Sequence, residues 1–198
     1  MAKQTQQQKI NPNKLNPNKL PVVTKPKALI VVDMQNDFVD GALGTKEAVE
    51  MLPRLIEKLE KVLAEGQTDL IFTQDTHGEN YLETQEGKLL PVVHCVKKTK
   101  GWEIVPELQE FVEKAREVIE KKSFGSTRLP SLIKPYEEVE FVGLCTDICV
   151  ISNAILVKAF YPEQKVSVDA NCCAGSSPEN HKNALAVMKN CQCIIYND

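Results

Sequence analysis

Short apolar runs alternate with longer amphipathic segments along this chain. Residues 28–33 (ALIVVD) form a short, nearly continuous apolar run, a pattern typical of a strand that is covered on both faces. Five further strands are predicted at residues 70–73, 117–121, 139–144, 165–169 and 192–196. Six strands are enough for one substantial sheet.

The segments between these runs predict helices. Residues 47–64 carry apolar side chains at helical spacing, namely Val49, Leu52, Leu55, Ile56, Leu59, Val62 and Leu63. Further helices are predicted at residues 106–115, 129–133, 147–160 and 178–189, and residues 74–101 are predicted to be irregular. This alternation predicts an α/β fold in a single domain at residues 28–198, with three layers (α/β/α) and a Rossmann-like, six-stranded parallel sheet.

Reactive residue types follow several of the predicted strands. In parallel sheets, ligands bind beyond the carboxyl ends of the strands. Asp33 ends the first predicted strand, Asp75 and His77 follow the second, Lys121 ends the third, and residues 145–149 follow the fourth. The pattern therefore favours a functional site at this edge of the sheet.

The first 27 residues differ in composition from the rest of the chain. They are rich in Gln, Asn, Lys and Pro, and the sequence NPNKL occurs twice, at residues 11–15 and 16–20. We predict a flexible extension, because the segment is too polar to fold alone, and it lacks the apolar stretch of a secretory signal. A targeting segment, an added tag and an arm that packs on a partner subunit are open alternatives.

Charge and cysteine content narrow the class of protein. The 24 Lys and Arg residues against 27 Asp and Glu give a net charge of −3, so nothing indicates nucleic-acid binding. No apolar run reaches the roughly 18 residues needed to span a bilayer. We expect a cytoplasmic protein with free thiols. A zinc site at Cys172-Cys173 and Cys191-x-Cys193 is the alternative, although the spacing is unlike that of zinc sites.

Cys149 is the candidate nucleophile. It lies where a predicted strand passes into a helix, and a thiol in a first helical turn meets free backbone N–H groups and the positive end of the helix dipole. Both effects lower a thiol pKa, and the same N–H groups can stabilise an oxyanion. The alternative is that Cys149 is a small buried apolar residue.

Asp33 and Lys121 are the candidate partners of this thiol. Asp33 could accept the thiol proton and later return it to a leaving amine, or it could be a structural cap. Lys121 could pair with Asp33 as an ammonium ion, or it could be an ordinary surface lysine. Its neighbour Lys122 is not distinguished from it by spacing alone.

A second constellation suits a metal ion. Asp75 and His77 have i,i+2 spacing, so both side chains can face one point in an extended segment, and Glu86 and His94 follow in the irregular region. Two imidazoles and one or two carboxylates suit Zn²⁺, Mn²⁺ or Fe²⁺. The alternative is that His94 packs within the loop and Asp75 caps it.

Three segments resemble a known family. They are VVDMQNDF at residues 31–38, EKKSFGST at residues 120–127 and GLCTDICV at residues 143–150. They resemble the isochorismatase-like cysteine hydrolase superfamily and, within it, the nicotinamidases. The resemblance extends from about Lys27 to the C-terminus and implies the isochorismatase-like hydrolase fold.

The resemblance implies roles for the residues named above. Asp33, Lys121 and Cys149 are similar to the Asp–Lys–Cys triad of the family, and the frame K-x-x-[FY], completed by Phe124, favours Lys121 over Lys122. It also implies a cis peptide bond between Leu144 and Cys145, which would direct the backbone N–H groups of Cys145 and Cys149 at the oxyanion.

The resemblance also implies a divalent metal ion, one per chain. Asp75, His77 and His94 match the nicotinamidase ligand pattern, with Glu86 as the expected further ligand and Glu83 as its alternative. In nicotinamidases this ion holds the pyridine nitrogen of the substrate. The third histidine, His181, is expected to be structural.

One departure concerns the substrate pocket. Nicotinamidases present an aromatic residue shortly before the later metal-binding histidine, whereas residues 89–94 here read LLPVVH. Phe38 and Phe124 are expected to line the pocket instead, and the position of Trp102 is left open.

The sequence thus predicts a cysteine-dependent amidohydrolase that converts nicotinamide to nicotinate and ammonia through a thioester. Two alternatives remain open: a related hydrolase acting on another small amide, a carbamoyl compound or a vinyl ether, and a non-catalytic binding protein of the same fold. We expect a homo-oligomer that binds no nucleic acid and no membrane.

Overall fold

A computed structural model of the chain describes residues 26–198. Residues 1–25 of the expected flexible extension lie outside the described residues. Lys27, assigned above to the extension, instead begins the first strand, and the carbonyl of Pro26 accepts a hydrogen bond from the backbone N–H of Glu137 (2.9 Å).

The sheet has six strands, all parallel. They are β1 (Lys27–Val32), β2 (Thr68–Asp75), β3 (Glu117–Lys121), β4 (Glu138–Leu144), β5 (Lys165–Ala174) and β6 (Ile194–Tyr196). Their spatial order is β3-β2-β1-β4-β5-β6. The predicted six-stranded parallel sheet is confirmed.

Seven helices connect the strands within residues 26–198. They are α1 (Asn36–Val39), α2 (Lys46–Glu65), α3 (Gln85–Leu89), α4 (Gln109–Lys114), α5 (Leu129–Ile133), α6 (Ile151–Phe160) and α7 (Pro178–Asn190). The longest, α2, begins at Thr45, whose side chain accepts a hydrogen bond from the N–H of Ala48, and it ends at Gly66 in a left-handed conformation. In the described part of the chain, no helix is long and apolar enough to cross a membrane.

Helices cover both faces of the sheet, which gives the predicted three layers. Alternate residues of β1 point to opposite faces, so Leu29 and Val31 pack under α2 and Ile30 packs under α6 and α7. The core between the sheet and α2 includes Met51 and Leu55. The core on the opposite face, under α6 and α7, includes Ala154, Val157, Leu185 and Met188.

The structure differs from the sequence expectations at several element boundaries. The strand β2 continues to Asp75 and β5 to Ala174. The segment expected to be irregular contains α3, preceded by a turn of 3₁₀ helix at Tyr81–Glu83. Thr146–Val150, the start of the expected helix at 147–160, forms a wider π-type turn before α6. Val49, one of the apolar residues at helical spacing in α2, is 48% exposed.

The order of the strands places a crevice between β1 and β4. From the central strand β1 the chain proceeds outward to β2 and β3, and then returns to β4 on the other side of β1. Connections above β1 and β4 therefore diverge to opposite sides, and such switch points are where parallel sheets bind ligands. Asp33 follows β1 and Cys149 follows β4, so both lie beside this crevice.

Candidate active site

Asp33 is held rigidly at the end of β1. Its backbone has a φ of 47°, which is uncommon for a residue other than glycine, and its side chain is completely buried. The hydroxyl of Thr73 donates a hydrogen bond to Oδ1 (2.7 Å), and the ammonium of Lys121 lies 2.6 Å from Oδ2.

The ammonium group of Lys121 contacts two carboxylates and one thiol. It is the last residue of β3 and pairs in register with Asp75 of β2. Its Nζ lies 2.6 Å from Asp33 Oδ2, 3.1 Å from Asp75 Oδ1 and 3.4 Å from Cys149 Sγ. Lys121 is buried whereas Lys122 is exposed, so the structure brings the first of the two lysines to the thiol.

Cys149 lies in the π-type turn that follows the end of β4. The peptide bond between Leu144 and Cys145 is cis, as expected from the resemblance. The carbonyl of Cys145 accepts hydrogen bonds from the N–H groups of Ile148 and Val150 (both 3.1 Å), which closes the turn. The side chain of Cys149 therefore faces Lys121 and is only 4% exposed.

Burial dominates the proton affinities of this group. It raises the pKa of the Cys149 thiol well above its ordinary value, the Asp33 carboxylate raises it further, and Lys121 opposes both. The expected lowering of this pKa at a helix start is therefore not found. Burial also raises the pKa of Asp33, while the Lys121 ammonium opposes that shift. A thiol whose pKa is raised in this way needs a base to become the nucleophilic thiolate.

Asp75, His77 and His94 form a buried cluster next to this triad. Their ligand atoms all lie within 4.8 Å of one another. Asp75 Oδ2 is 2.9 Å from His77 Nε2 and 3.8 Å from His94 Nε2. Glu86 Oε1 is 3.6 Å and 3.8 Å from the same two nitrogens, whereas Glu83 is exposed in the preceding turn. The geometry therefore favours Glu86 over Glu83.

The chemistry of this cluster fits a divalent cation. His94 Nδ1 lies 2.8 Å from the carbonyl of Val92, which orients the lone pair of Nε2 towards the cluster when Nδ1 donates. His77 Nε2 is buried and has no partner in hydrogen-bonding geometry among the described residues. Two imidazole nitrogens with carboxylate oxygens are a common ligand set for Zn²⁺, Mn²⁺ and Fe²⁺.

Asp75 belongs to both constellations. Its Oδ1 contacts Lys121 Nζ at 3.1 Å, and its Oδ2 contacts His77 at 2.9 Å. Burial alone would raise the pKa of Asp75, but the neighbouring His77 and Lys121 lower it below its ordinary value. Asp75 is therefore a carboxylate that connects the candidate metal cluster to the candidate nucleophile.

The two phenylalanines occupy different environments. Phe38 is buried, and its ring lies edge-on to His94 with 5.5 Å between centroids. Phe124 is 47% exposed and borders a cavity of about 580 Å³ together with Glu86, Leu89, Leu90 and Ile148. Glu86 lies between this cavity and the candidate metal cluster, and Ile148 lies in the turn that carries Cys149.

Trp102 borders a different cavity. Its indole N–H donates to the hydroxyl of Thr76 (2.9 Å), and Trp102 lines this cavity together with Gln74 and Ile104. The absence of an aromatic residue at positions 89–94 is thus not offset by Trp102 in the cavity beside Phe124.

Other polar residues support the site, and sequence reasoning gave them no role. The side chain of Gln35 accepts a hydrogen bond from the N–H of Asp75 (2.7 Å) and donates to the Asp75 carbonyl (2.9 Å). Asp37 accepts a hydrogen bond from the N–H of Cys95 (2.8 Å), beside His94. Both lie in the VVDMQNDF segment. The concentration of polar residues directly after a buried strand is the sequence feature that could have identified them.

The remaining candidates lie apart from the site. All seven cysteines are free, and Cys172 and Cys173 point to opposite faces of β5. Within residues 26–198, the Asp75–His77–His94 cluster is the one group of three such ligands, so the alternative cysteine zinc site does not form. His181 Nδ1 lies 2.8 Å from the hydroxyl of Thr146, a contact in keeping with a structural role.

Comparisons with known proteins agree with this geometry. The chain is 29% identical over 176 residues to an uncharacterized isochorismatase family protein, PncA, of Bacillus subtilis (strain 168), covering 83% of this chain and 94% of that protein. It is 27% identical over 177 residues to a nicotinamidase of Saccharomyces cerevisiae, covering 65% of this chain and 80% of the relative.

Similar solved structures include a nicotinamidase PncA from Bacillus subtilis, with a TM-score of 0.74 and 26% identity over 87% of this chain and 99% of that one. A pyrazinamidase of Pyrococcus horikoshii in complex with zinc has the same TM-score and coverage at 28% identity. The profile of the Isochorismatase domain matches residues 27–197. Since this match spans nearly the whole chain, the protein belongs to the isochorismatase family.

Proposed function

We propose that this protein is a cysteine-dependent amidohydrolase whose main substrate is nicotinamide, which it converts to nicotinate and ammonia. One observation carries the proposal: a single ammonium group, Lys121 Nζ, contacts Asp33, Asp75 and the sulfur of Cys149. A thiol, a base and a metal cluster next to each other suit a reaction in which an aromatic amide is held and attacked.

The first half of the reaction forms a thioester. Asp33 accepts the proton of the Cys149 thiol, and the sulfur attacks the amide carbonyl. The backbone N–H groups of Cys145 and Cys149 stabilise the negative oxygen that develops. Lys121 remains an ammonium ion, because the neighbouring acidic groups raise its pKa despite its burial, and it offsets the charge of Asp33 and of the thiolate.

The second half releases the acid. Asp33 returns its proton to the leaving nitrogen, and ammonia departs. Asp33, again ionised, then takes a proton from water, whose oxygen attacks the thioester carbonyl and displaces the sulfur of Cys149. The sulfur recovers its proton from Asp33, and the acid that is formed loses its own proton to solvent and leaves as nicotinate. One carboxylate thus serves as acid and base in turn.

Asp75, His77, His94 and Glu86 would hold a divalent ion. Such an ion would supply a Lewis-acidic position that binds the ring nitrogen of nicotinamide and so orients its carboxamide towards Cys149. Phe38, packed against His94, and Phe124, at the border of the cavity, would enclose the ring.

Hydrolysis of another small amide or carbamoyl compound is the second candidate function. Leu89, Leu90 and Val93 are exposed where nicotinamidases present an aromatic residue before the histidine. An aliphatic surface gives less specific recognition of a flat ring than an aromatic one does.

The test is to incubate the purified, metal-loaded protein with nicotinamide and to measure ammonia and nicotinate. Equal amounts of both products are expected. Release of ammonia from other small amides but not from nicotinamide would favour the second candidate. Failure to hydrolyse any amide would overturn the proposal and favour a protein that functions by binding. The cytoplasmic location, the homo-oligomer and the role of residues 1–27 stay predictions.

A further inference from the structure

Asn153 is a polar residue without a role in the reaction described above, yet it is completely buried. It lies in α6, four residues after Cys149. A buried amide is costly unless its donors and acceptor are satisfied, so its partners show where the fold requires it.

The side chain of Asn153 bridges two segments of the candidate active site. Its Nδ2 donates to the carbonyl of Cys149 (2.8 Å) and to the carbonyl of Phe124 (3.1 Å). Its Oδ1 accepts a hydrogen bond from the N–H of Ser126 (2.9 Å). One amide thus connects the turn of the nucleophile to the loop that follows Lys121.

The Asn153 hydrogen bonds connect the two segments that determine the distance between Cys149 and Lys121. Cys149 is carried by β4 and a π-type turn, whereas Lys121 is carried by β3, and β2 and β1 lie between these strands. Phe124 and Ser126 follow Lys121 by three and five residues in the sequence. Hydrogen bonds from one rigid helical residue to both segments restrict their relative movement.

We propose that Asn153 is a positioning residue that sets the separation between the sulfur of Cys149 and the ammonium of Lys121, 3.4 Å in this structure. Its importance for catalysis rests on the proposed function. The contact with the Phe124 carbonyl also fixes the backbone of the aromatic residue at the border of the cavity. Asn153 itself touches neither the sulfur nor the substrate position in this proposal.

Two variants separate positioning from simple stabilisation. Asn153→Ala removes all three hydrogen bonds. Asn153→Thr retains a donor for the carbonyl four residues earlier, that of Cys149, but loses the link to Phe124 and Ser126. Gln164→Ala is the matched control, because the Gln164 amide also bridges two backbone carbonyls, those of Ile133 (3.2 Å) and Tyr136 (2.7 Å), outside the site.

We expect Asn153→Thr to lower kcat for nicotinamide by about 10- to 100-fold, because misplacement of reacting groups by fractions of an ångström is costly, and to change KM much less. Gln164→Ala should reduce thermal stability without changing kcat. A crystal structure of Asn153→Thr should show a separation between Lys121 Nζ and Cys149 Sγ longer than in the wild type.

A wild-type separation together with wild-type kcat in Asn153→Thr would overturn the inference. If Asn153→Ala does not fold, Asn153→Thr still decides the question. If the wild type does not hydrolyse nicotinamide, the proposed function fails, and the separation measured in the crystal structure tests Asn153 independently.

Discussion

Single residues allow the sheet to bring its reactive groups together, and Gly143 is an example. It lies in β4 opposite Val32 of β1, just before Leu144, and has a φ of 109°. A side chain at this position would overlap the carbonyl oxygen of Val32. Glycine therefore permits the close approach of β1 and β4 directly below Asp33 and Cys149.

We predict that Gly143→Ala lowers the free energy of unfolding by at least about 3 kcal/mol, from the unfavourable backbone conformation and from overpacking. Gly66→Ala is the control, because Gly66 also has a positive φ (66°) but has open space around its position. That variant should cost about 1 kcal/mol. Urea denaturation measures both values, and equal losses would contradict the role assigned to the close approach.

Parts of the site were accessible from the sequence at this scale. The family frame K-x-x-[FY], completed by Phe124, favoured Lys121 over Lys122, and the structure buries Lys121 and exposes Lys122. The pKa of Cys149 was not accessible, because it depends on burial in the folded protein and on the charges of Asp33 and Lys121, which come from other strands. The contacts of Gln35 and Asn153 depend equally on distant segments.

At the scale of the elements, an ionic group connects helix α2 to strands β4 and β5. Lys58 of α2 contacts Glu140 of β4 and Asp169 of β5, both at 2.7 Å. Asn197 donates a further hydrogen bond to Asp169 (2.9 Å). Burial alone would raise the pKa of Asp169, but the hydrogen bonds from Asn197 and Lys58 lower it below its ordinary value.

The ionic contacts of Asp169 predict a contribution to the free energy of unfolding that is lost in acid. Because the pKa of Asp169 is lower in the folded than in the unfolded protein, its stabilisation is complete above the ordinary pKa of 3.8 and is lost as the pH falls through the folded value. Asp169→Asn should lower the free energy of unfolding at pH 7 by about 1–3 kcal/mol and should flatten its decline in acid.

Urea denaturation between neutral and acidic pH measures this effect. Glu163→Gln, at an exposed position, serves as the control and should follow the wild-type curve. An equally steep acidic decline in Asp169→Asn and the wild type would contradict the assignment.

The types of the elements were largely predictable, but their ends were not. The spacing of Leu52, Leu55 and Leu59 indicated α2 correctly. The extension of β5 to Ala174 and the π-type turn at Thr146–Val150 were missed, because they depend on pairing with β4 and on packing against α7.

At the scale of the whole molecule, the sheet places two chemical constellations side by side. The ends of β1, β3 and β4 bring the proposed triad together, and the end of β2 supplies Asp75, which contacts Lys121 of this triad and also belongs to the candidate metal cluster. The sequence order of these residues does not reveal this sharing, which follows from the neighbouring positions of β2 and β3.

The candidate metal cluster predicts that the metal content of the protein depends on His77. The wild type should bind about one divalent ion per chain, given four suitable ligands, and His77→Ala should lose most of it. His181→Ala is the control, because His181 contacts Thr146 and lies outside the cluster. Elemental analysis after dialysis measures the content, and equal content in His77→Ala and the wild type would remove the ion from this site.

The central claim is that the sulfur of Cys149 performs the attack, and its most direct test is the rate of ammonia release from nicotinamide by Cys149→Ala. Cys172→Ala is the matched control, because Cys172 is also a buried free thiol but packs in the core on the other side of the sheet from Cys149. We predict that the first variant loses activity by about 10⁴-fold or more, as removal of a nucleophile does, while the second retains wild-type turnover. Turnover by a folded Cys149→Ala at a rate comparable to the wild type would contradict the account.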